Sequence, residues 1–156
     1  MSTKNKQLLA YIVKNHPKVS VTGIMKLCYL IDLFSIKKRK KQISNFQYVR
    51  YYYGPYDKKI SEELEELVRE KIIIPSGDFT PSGDEYVIYN YNDEKDYSFN
   101  LIEKDKEQID AVLENLKGYG AKTLTEVAYK TKPMLKLGAT LGGKENIGVE
   151  LDLNAS

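Results

Sequence analysis

Residues 23–36, with the sequence GIMKLCYLIDLFSI, constrain the fold more than any other stretch of the chain. At helical spacing, one face of this segment is apolar, carrying Ile24, Leu27, Cys28, Ile31 and Phe34. Much of the remaining circumference is apolar as well, carrying Met25, Tyr29, Leu30 and Leu33. A helix that is apolar nearly all round is buried on most of its sides. We therefore predict a central helix here, capped at its start by Ser20 or Thr22.

Two charged residues, Lys26 and Asp32, interrupt this apolar helix. Charged side chains are rarely buried unless they are paired. One interpretation is that each of the two reaches the rim of the core or pairs with some other group. The other is that Lys26 and Asp32 form a structural ion pair.

Further segments with a regular apolar pattern follow along the chain. Helical spacing predicts helices over residues 3–14, 58–71 and 103–117, and Asp57 is placed to cap the second of them. Thr123 and Glu126 form the pattern of a capping box, which predicts a short helix that ends before Pro133.

The β-structure predicted from the sequence is small. Residues 72–92 hold two short β-prone runs around Pro and Gly, which predicts a hairpin or a small sheet edge. Residues 138–156 are interpreted as either a C-terminal strand or a loose tail. A chain of 156 residues fits one domain. We expect a mainly helical α+β fold, a single domain over residues 1–156 with a small antiparallel β element.

Composition restricts the environment in which the chain works. Its 42% apolar and 29% charged residues are typical of a soluble globular protein, and no run approaches the ~18 apolar residues of a membrane span. The N-terminus shows no apolar segment followed by a small-residue cleavage site. One cysteine, Cys28, excludes an intramolecular disulfide and suits a reducing compartment. We expect a cytoplasmic protein.

The sequence contains little that points to catalysis. His16 is the one histidine and Cys28 the one cysteine, so zinc sites built from several such residues are excluded. There is no phosphate loop, dinucleotide fingerprint or nucleophile elbow. The acidic residues within 62–66 follow one another on what is predicted to be an exposed helix. We predict no enzymatic activity, no cofactor and no metal.

The segment FQYVRYYYGPY, residues 46–56, is rich in tyrosine. Residues 46–53 are predicted to form a strand, closed by a turn at Gly54-Pro55. Alternation places Tyr48, Arg50 and Tyr52 on one side and Tyr51 and Tyr53 on the other. Three interpretations stay open: a packed strand, a stacking platform for single-stranded nucleic acid and a protein-docking surface.

Lys37, Lys38, Arg39, Lys40 and Lys41 are consecutive basic residues directly after the central helix. Such a run is either a solvated helix end favoured by the helix dipole or a phosphate-binding surface. Residues 68–89 also echo the helix, strand and wing of winged-helix proteins. A nucleic-acid-binding regulator is therefore the alternative function, with DNA binding that weakens steeply as salt rises.

The order of several elements resembles the Panacea domain of SocA-type antitoxins. The family's helix motif corresponds to Lys26, Leu27, Tyr29 and Asp32. Its aromatic element before Gly-Pro falls on Tyr51, Tyr53, Gly54 and Pro55, with Tyr51 in place of tryptophan. A late element matches residues 124–134, with Ala128-Tyr129 in place of Thr-His. The resemblance covers about residues 5–135.

The resemblance implies a non-catalytic protein-binding module of prokaryotic or phage origin. Such domains neutralise a cognate toxin by direct contact, and the toxin is usually encoded by a neighbouring gene. Tyrosine and arginine are frequent anchors of protein interfaces. We predict that Arg50, Tyr52 and Tyr56 help to form the surface that binds the toxin.

Overall fold

The computed structural model describes residues 3–155. The helices in this range are α1 (Lys4–Asn15), α2 (Val21–Arg39), α3 (Lys58–Arg69), α4 (Glu103–Asn115), α5 (Ala121–Tyr129) and α6 (Lys132–Lys136). The strands are β1 (Val19–Ser20), β2 (Val49–Tyr51), β3 (Gly54–Tyr56), β4 (Ile73–Phe79) and β5 (Glu85–Tyr91). Among these elements, no helix combines the length and hydropathy needed to cross a bilayer.

The strands form two separate antiparallel sheets. In the larger sheet β5 lies between β1 and β4, with Val19 opposite Tyr89 and Ile73 opposite Tyr91. In the smaller sheet β2 pairs with β3, and Arg50 lies opposite Pro55. The mainly helical α+β fold with a small antiparallel β element is thereby confirmed, as is the hairpin predicted within residues 72–92.

Helix α2 is the centre of the fold, as its apolar circumference predicts. It contacts α1, α4 and α5, and Leu27, Leu30 and Ile31 have no exposed surface. The hydroxyl of Ser20 accepts a hydrogen bond of 3.1 Å from the Gly23 amide, so Ser20 is the helix cap. Phe34 departs from the predicted face, because 39% of its surface is exposed.

Two local predictions are wrong, each at the boundary of an element. Thr123 and Glu126 form no capping box, because α5 begins at Ala121 with Gly120 as its N-cap and no side-chain cap. Gly54 and Pro55 are not the turn after the tyrosine strand. They lie in β3, and Tyr52 and Tyr53 make the turn instead. A two-residue connection of this kind suits a tight hairpin.

The tail after α6 returns to β2. The Arg50 amide donates to the Val149 carbonyl at 2.8 Å, and the Leu151 amide donates to the Tyr48 carbonyl at 2.9 Å. An isolated antiparallel bridge joins Val49 to Glu150. Leu151, Leu153 and Ala155 alternate with exposed residues and are buried. The tail therefore lines one edge of the β2–β3 pair and adds to the core.

Candidate functional site

A hairpin made of β2, β3 and the turn residues Tyr52 and Tyr53 presents three consecutive rings to solvent. We call it the tyrosine hairpin. The exposed fraction rises from 39% for Tyr51 to 50% for Tyr52 and 72% for Tyr53. Tyr51 contacts the Tyr52 ring edge-on at 4.9 Å and stacks on Tyr56 at 4.5 Å between centroids. The rings support one another and form one exposed aromatic surface.

The alternation predicted for this segment holds only as far as the strand does. Phe46 and Tyr48 are buried, and Tyr48 packs edge-on against Tyr29 of α2 at 5.4 Å. Tyr52 would continue this inner face, but the chain turns there and the ring points to solvent. Core packing therefore uses the first rings of the run, and the turn exposes the later ones.

Arg50 is not on this surface, which corrects its prediction as a partner-binding residue. Its side chain has no exposed area. The guanidinium donates to the carbonyls of Gly143 at 2.9 Å and Glu145 at 3.1 Å, and to the hydroxyl of Tyr129 at 2.7 Å. Further hydrogen bonds reach the carbonyls of Tyr51 and Thr140. Arg50 thus lies beneath the exposed rings and ties their strand to α5 and to the segment 140–145.

Asp32 holds the chain that leads into the tyrosine hairpin. Its carboxylate, which has no exposed area, accepts hydrogen bonds from the amides of Ile43 at 3.1 Å and Ser44 at 3.0 Å. It also accepts from the hydroxyls of Ser44 at 2.5 Å and Tyr48 at 2.8 Å, and from the Gln42 amide group at 3.3 Å. Burial raises the pKa of Asp32, and the hydrogen bonds from Ser44 and Tyr48 oppose that rise.

Lys26 and Asp32 do not pair with each other, so the hypothesis of an ion pair between them is wrong. The Lys26 ammonium is 3.0 Å from the carbonyl of Pro55, to which it donates, and the residue is 3% exposed. No carboxylate of residues 3–155 lies within 4 Å of this ammonium. Burial lowers the pKa of Lys26 to about 8. Lys26 is therefore a buried cation without a nearby counter-charge.

The low pKa of Lys26 predicts an unusual gain of stability in mild alkali. Between pH 8 and 10.5 the native state has released a proton that the unfolded state keeps, so stability rises with pH. From pH 8 to 9.5 the gain from this residue is about 2 kcal/mol. Urea unfolding at both pH values measures it. K26M serves as the comparison, and an equal rise in that variant would contradict the assignment to Lys26.

An apolar groove of about 660 Å³ adjoins the tyrosine hairpin at Tyr53. Its walls carry five exposed apolar side chains from four parts of the chain, Tyr53, Phe79, Tyr86, Tyr119 and Leu141. The charged residues lining it are both basic, Lys18 and Lys122. Exposed apolar patches of this kind mark interaction sites in many proteins.

The groove could not be predicted from the sequence, because its residues are scattered over more than 120 positions. One signal was available: Tyr119 stands between Gly118 and Gly120, where a large ring has little local structure to bury it. Phe79 and Tyr86 likewise flank the turn of the β4–β5 hairpin. Each is unremarkable alone, and only the fold brings them together.

His16 also lines the groove and caps the end of α1. Its backbone amide donates to the Ile12 carbonyl at 2.8 Å. Both ring nitrogens are shielded from solvent and have no hydrogen-bond partner within residues 3–155. In the same range no set of three or more His, Cys, Asp or Glu residues is arranged to hold a metal ion.

The basic run lies at the far end of α2 from the groove. Lys37, Lys38, Lys40 and Lys41 are exposed, while Arg39 is bonded at 2.8 Å to Asp105, a carboxylate with no exposed area. Helix α2 has 19 residues and is therefore about 28 Å long. The β5 strand of the wing-like hairpin pairs with β1 at the beginning of α2. The two parts of the winged-helix alternative thus lie at opposite ends of this helix.

The chain matches the model of a known protein family. A family model described as "Antitoxin SocA-like, Panacea domain" matches residues 24–133 of the 156. The matched range runs from α2 to the beginning of α6, and it includes the whole tyrosine hairpin and most of the groove. No curated protein and no solved structure matches the chain significantly.

Proposed function

The chain belongs to the SocA-like antitoxin family with a Panacea domain, and on that premise we propose that it binds a toxin protein and neutralises it by direct contact. The binding surface in this proposal consists of the exposed rings of the tyrosine hairpin and the apolar groove beside them. The toxin is the product of a neighbouring gene, and the role of this chain is not catalytic. The observation that carries the proposal is the exposed aromatic surface within the matched range.

The physical properties of this surface suit a protein partner. Tyr53 belongs to the tyrosine hairpin and also lines the groove, so the two features form one continuous surface. Large rings with few rotatable bonds bury much area at a small loss of side-chain entropy, which is why they are frequent interface anchors. Lys18 and Lys122 favour a partner segment that is apolar with acidic residues at its edge.

The tyrosine hairpin is also anchored to the buried part of the fold. Arg50 and Tyr56 join the exposed rings to buried structure, so little ordering remains to be done when a partner binds. In this proposal Tyr52 and Tyr53 contact the toxin, Tyr56 supports Tyr51, and Arg50 positions the strand without touching the partner.

Alanine substitution of Tyr52 and Tyr53 tests the proposal. Each single change is expected to weaken toxin binding at least about tenfold, because anchor residues contribute ~2 kcal/mol or more. The temperature of unfolding should stay within about 3 °C of the wild type, since both rings are largely exposed. Calorimetric titration with the purified product of the neighbouring gene gives the dissociation constant, and rescue of growth on co-expression gives the functional readout.

Leu135 provides the matched control. Its side chain is 54% exposed and lies on α6, outside the hairpin and the groove. L135A should bind the toxin as the wild type does. Unchanged affinity in the double variant Y52A/Y53A would refute this surface, and equal weakening by L135A would show that the loss is not specific to it.

A further inference from the structure

Lys26 lines a cavity of about 160 Å³ next to the tyrosine hairpin, which we call the Lys26 pocket. Its walls include Tyr51, Tyr53, Tyr56 and the hydroxyl residues Thr22 and Ser61. Gly54 keeps one side open. A Cβ at this position would lie 3.2 Å from Cε and 3.7 Å from Nζ of Lys26, and the φ of +108° there favours glycine.

The ammonium has hydrogen-bonding capacity that the fold does not use. An ammonium carries three N–H donors, and one of them donates to the Pro55 carbonyl at 3.0 Å. The other two have no acceptor among residues 3–155. Buried polar groups nearly always have partners. The geometry therefore leaves room in the Lys26 pocket for an acceptor that comes from outside the chain.

Electrostatics determines which acceptor suits this pocket. The ion pairs of the described residues do not include Lys26, because no carboxylate lies within 4 Å of its ammonium. Burial lowers its pKa to about 8, so the side chain still carries its charge in most molecules at pH 7. The attraction between an anion and a buried cation is much stronger than the attraction between the same two charges in water, because the dielectric constant is lower.

The volume of the Lys26 pocket and its position beside the groove further restrict the class of ligand. A volume of about 160 Å³ accepts a carboxylate group but not a nucleotide or a sugar phosphate. The pocket shares Thr22 and Tyr53 with the apolar groove, so a segment lying in the groove passes its mouth. The hydroxyls of Thr22 and Ser61 can donate to a second carboxylate oxygen.

We propose that the Lys26 pocket is a carboxylate-binding site, and that an aspartate or glutamate side chain of the toxin fills it in the complex. This assignment of the ligand rests on the proposed function. The pocket supplies the charged contact of the interface, and the neighbouring rings exclude water from it. Such a contact adds specificity, because a partner without the acid leaves a buried cation uncompensated.

Sodium acetate tests the site without any toxin. At pH 7, 200 mM acetate should raise the unfolding temperature of the wild type by about 2–4 °C relative to sodium chloride at equal ionic strength. The rise should vanish at pH 9.5, where Lys26 is neutral in most molecules. It should also vanish in K26M and persist in K104M, which removes an exposed lysine of α4. A rise of equal size in K26M would overturn the site.

Titration with the neighbouring gene product tests the partner's role. K26M and the shorter neutral variant K26Q should each weaken toxin binding at least about tenfold, while K104M binds normally. If acetate acts through Lys26 but both variants bind the toxin normally, the pocket holds free anions and the partner assignment is overturned. If the wild type itself does not bind this gene product, the proposed function fails instead, whereas normal binding by Y52A/Y53A refutes only the tyrosine surface. In both cases the acetate result still decides whether the site exists.

Discussion

Replacing Asp32 by alanine is expected to lower the free energy of unfolding by about 5 kcal/mol, a large part of the 5–15 kcal/mol typical of a domain. The substitution leaves five donors without their acceptor: the amides of Ile43 and Ser44, the hydroxyls of Ser44 and Tyr48, and the amide group of Gln42. Each buried donor without a partner costs about 1–3 kcal/mol, and relaxation of the segment recovers part of the total. Urea unfolding measures the loss.

Asparagine at position 32 should cost less than alanine. Its oxygen can keep the two amides that donate to Oδ1, those of Ile43 and Ser44. Its NH₂ group would then face the three donors that now bond to Oδ2. The hydroxyls of Ser44 and Tyr48 can rotate to accept from it, but the Gln42 amide group can accept only if it flips. We expect D32N to lose about 3 kcal/mol.

The exposed Asp93 provides the control for this series. D93N should change the free energy of unfolding by less than about 0.5 kcal/mol, as surface substitutions usually do. A loss below about 2 kcal/mol for D32A would show that water replaces the carboxylate and that this network does not hold the segment before the hairpin.

Replacing Arg50 by methionine is expected to cost about 4 kcal/mol and to open the segment 140–149 before the rest of the protein unfolds. Methionine keeps the apolar stem but supplies no donor to the carbonyls of Thr140, Gly143 and Glu145. These carbonyls can recover their hydrogen bonds from water only if their loop leaves the core. Hydrogen exchange should therefore increase first at the Gly148 and Val149 amides.

Lysine at position 50 separates the charge of Arg50 from its geometry. An ammonium has three donors and no planar fork, so it cannot serve acceptors on α5, β2 and the 140–145 segment together. The free energy of unfolding that R50K loses should be more than half of the loss expected for R50M. Near wild-type stability of R50K would mean that charge alone, through Glu145 at 3.8 Å, accounts for the role of Arg50.

Much of the fold follows from local patterns in the sequence. The apolar circumference of residues 23–36 identified the central helix. Asp57 was recognised as a helix cap, and Ser20 was one of two candidate caps for the central helix, because their side-chain oxygens precede a helical pattern. Both strands of the 72–92 hairpin were recognisable from their composition and their turn. The local errors, at Thr123 and at Gly54-Pro55, arose because several turn residues lie close together and tertiary contacts select among them.

The candidate site was only partly predictable. The tyrosine run marked a segment whose later rings are exposed, and Tyr52 is among them, as predicted for a surface residue. Arg50 was placed on the surface because arginine is a frequent anchor of protein interfaces. Two of its acceptors, the carbonyls of Gly143 and Glu145, lie more than 90 positions away, and nothing in a local pattern shows that such groups will converge on it.

By itself, the sequence determined most of the helices, the β4–β5 hairpin, which helix is central and which family the chain resembles, because these depend on periodicity and on the order of short motifs. Only the tertiary structure decided which tyrosines face solvent, that Lys26 lacks a counter-charge, and that Phe79, Tyr119 and Leu141 share one groove. The physical reason is that burial and charge pairing are set by contacts between distant segments, which local spacing does not encode.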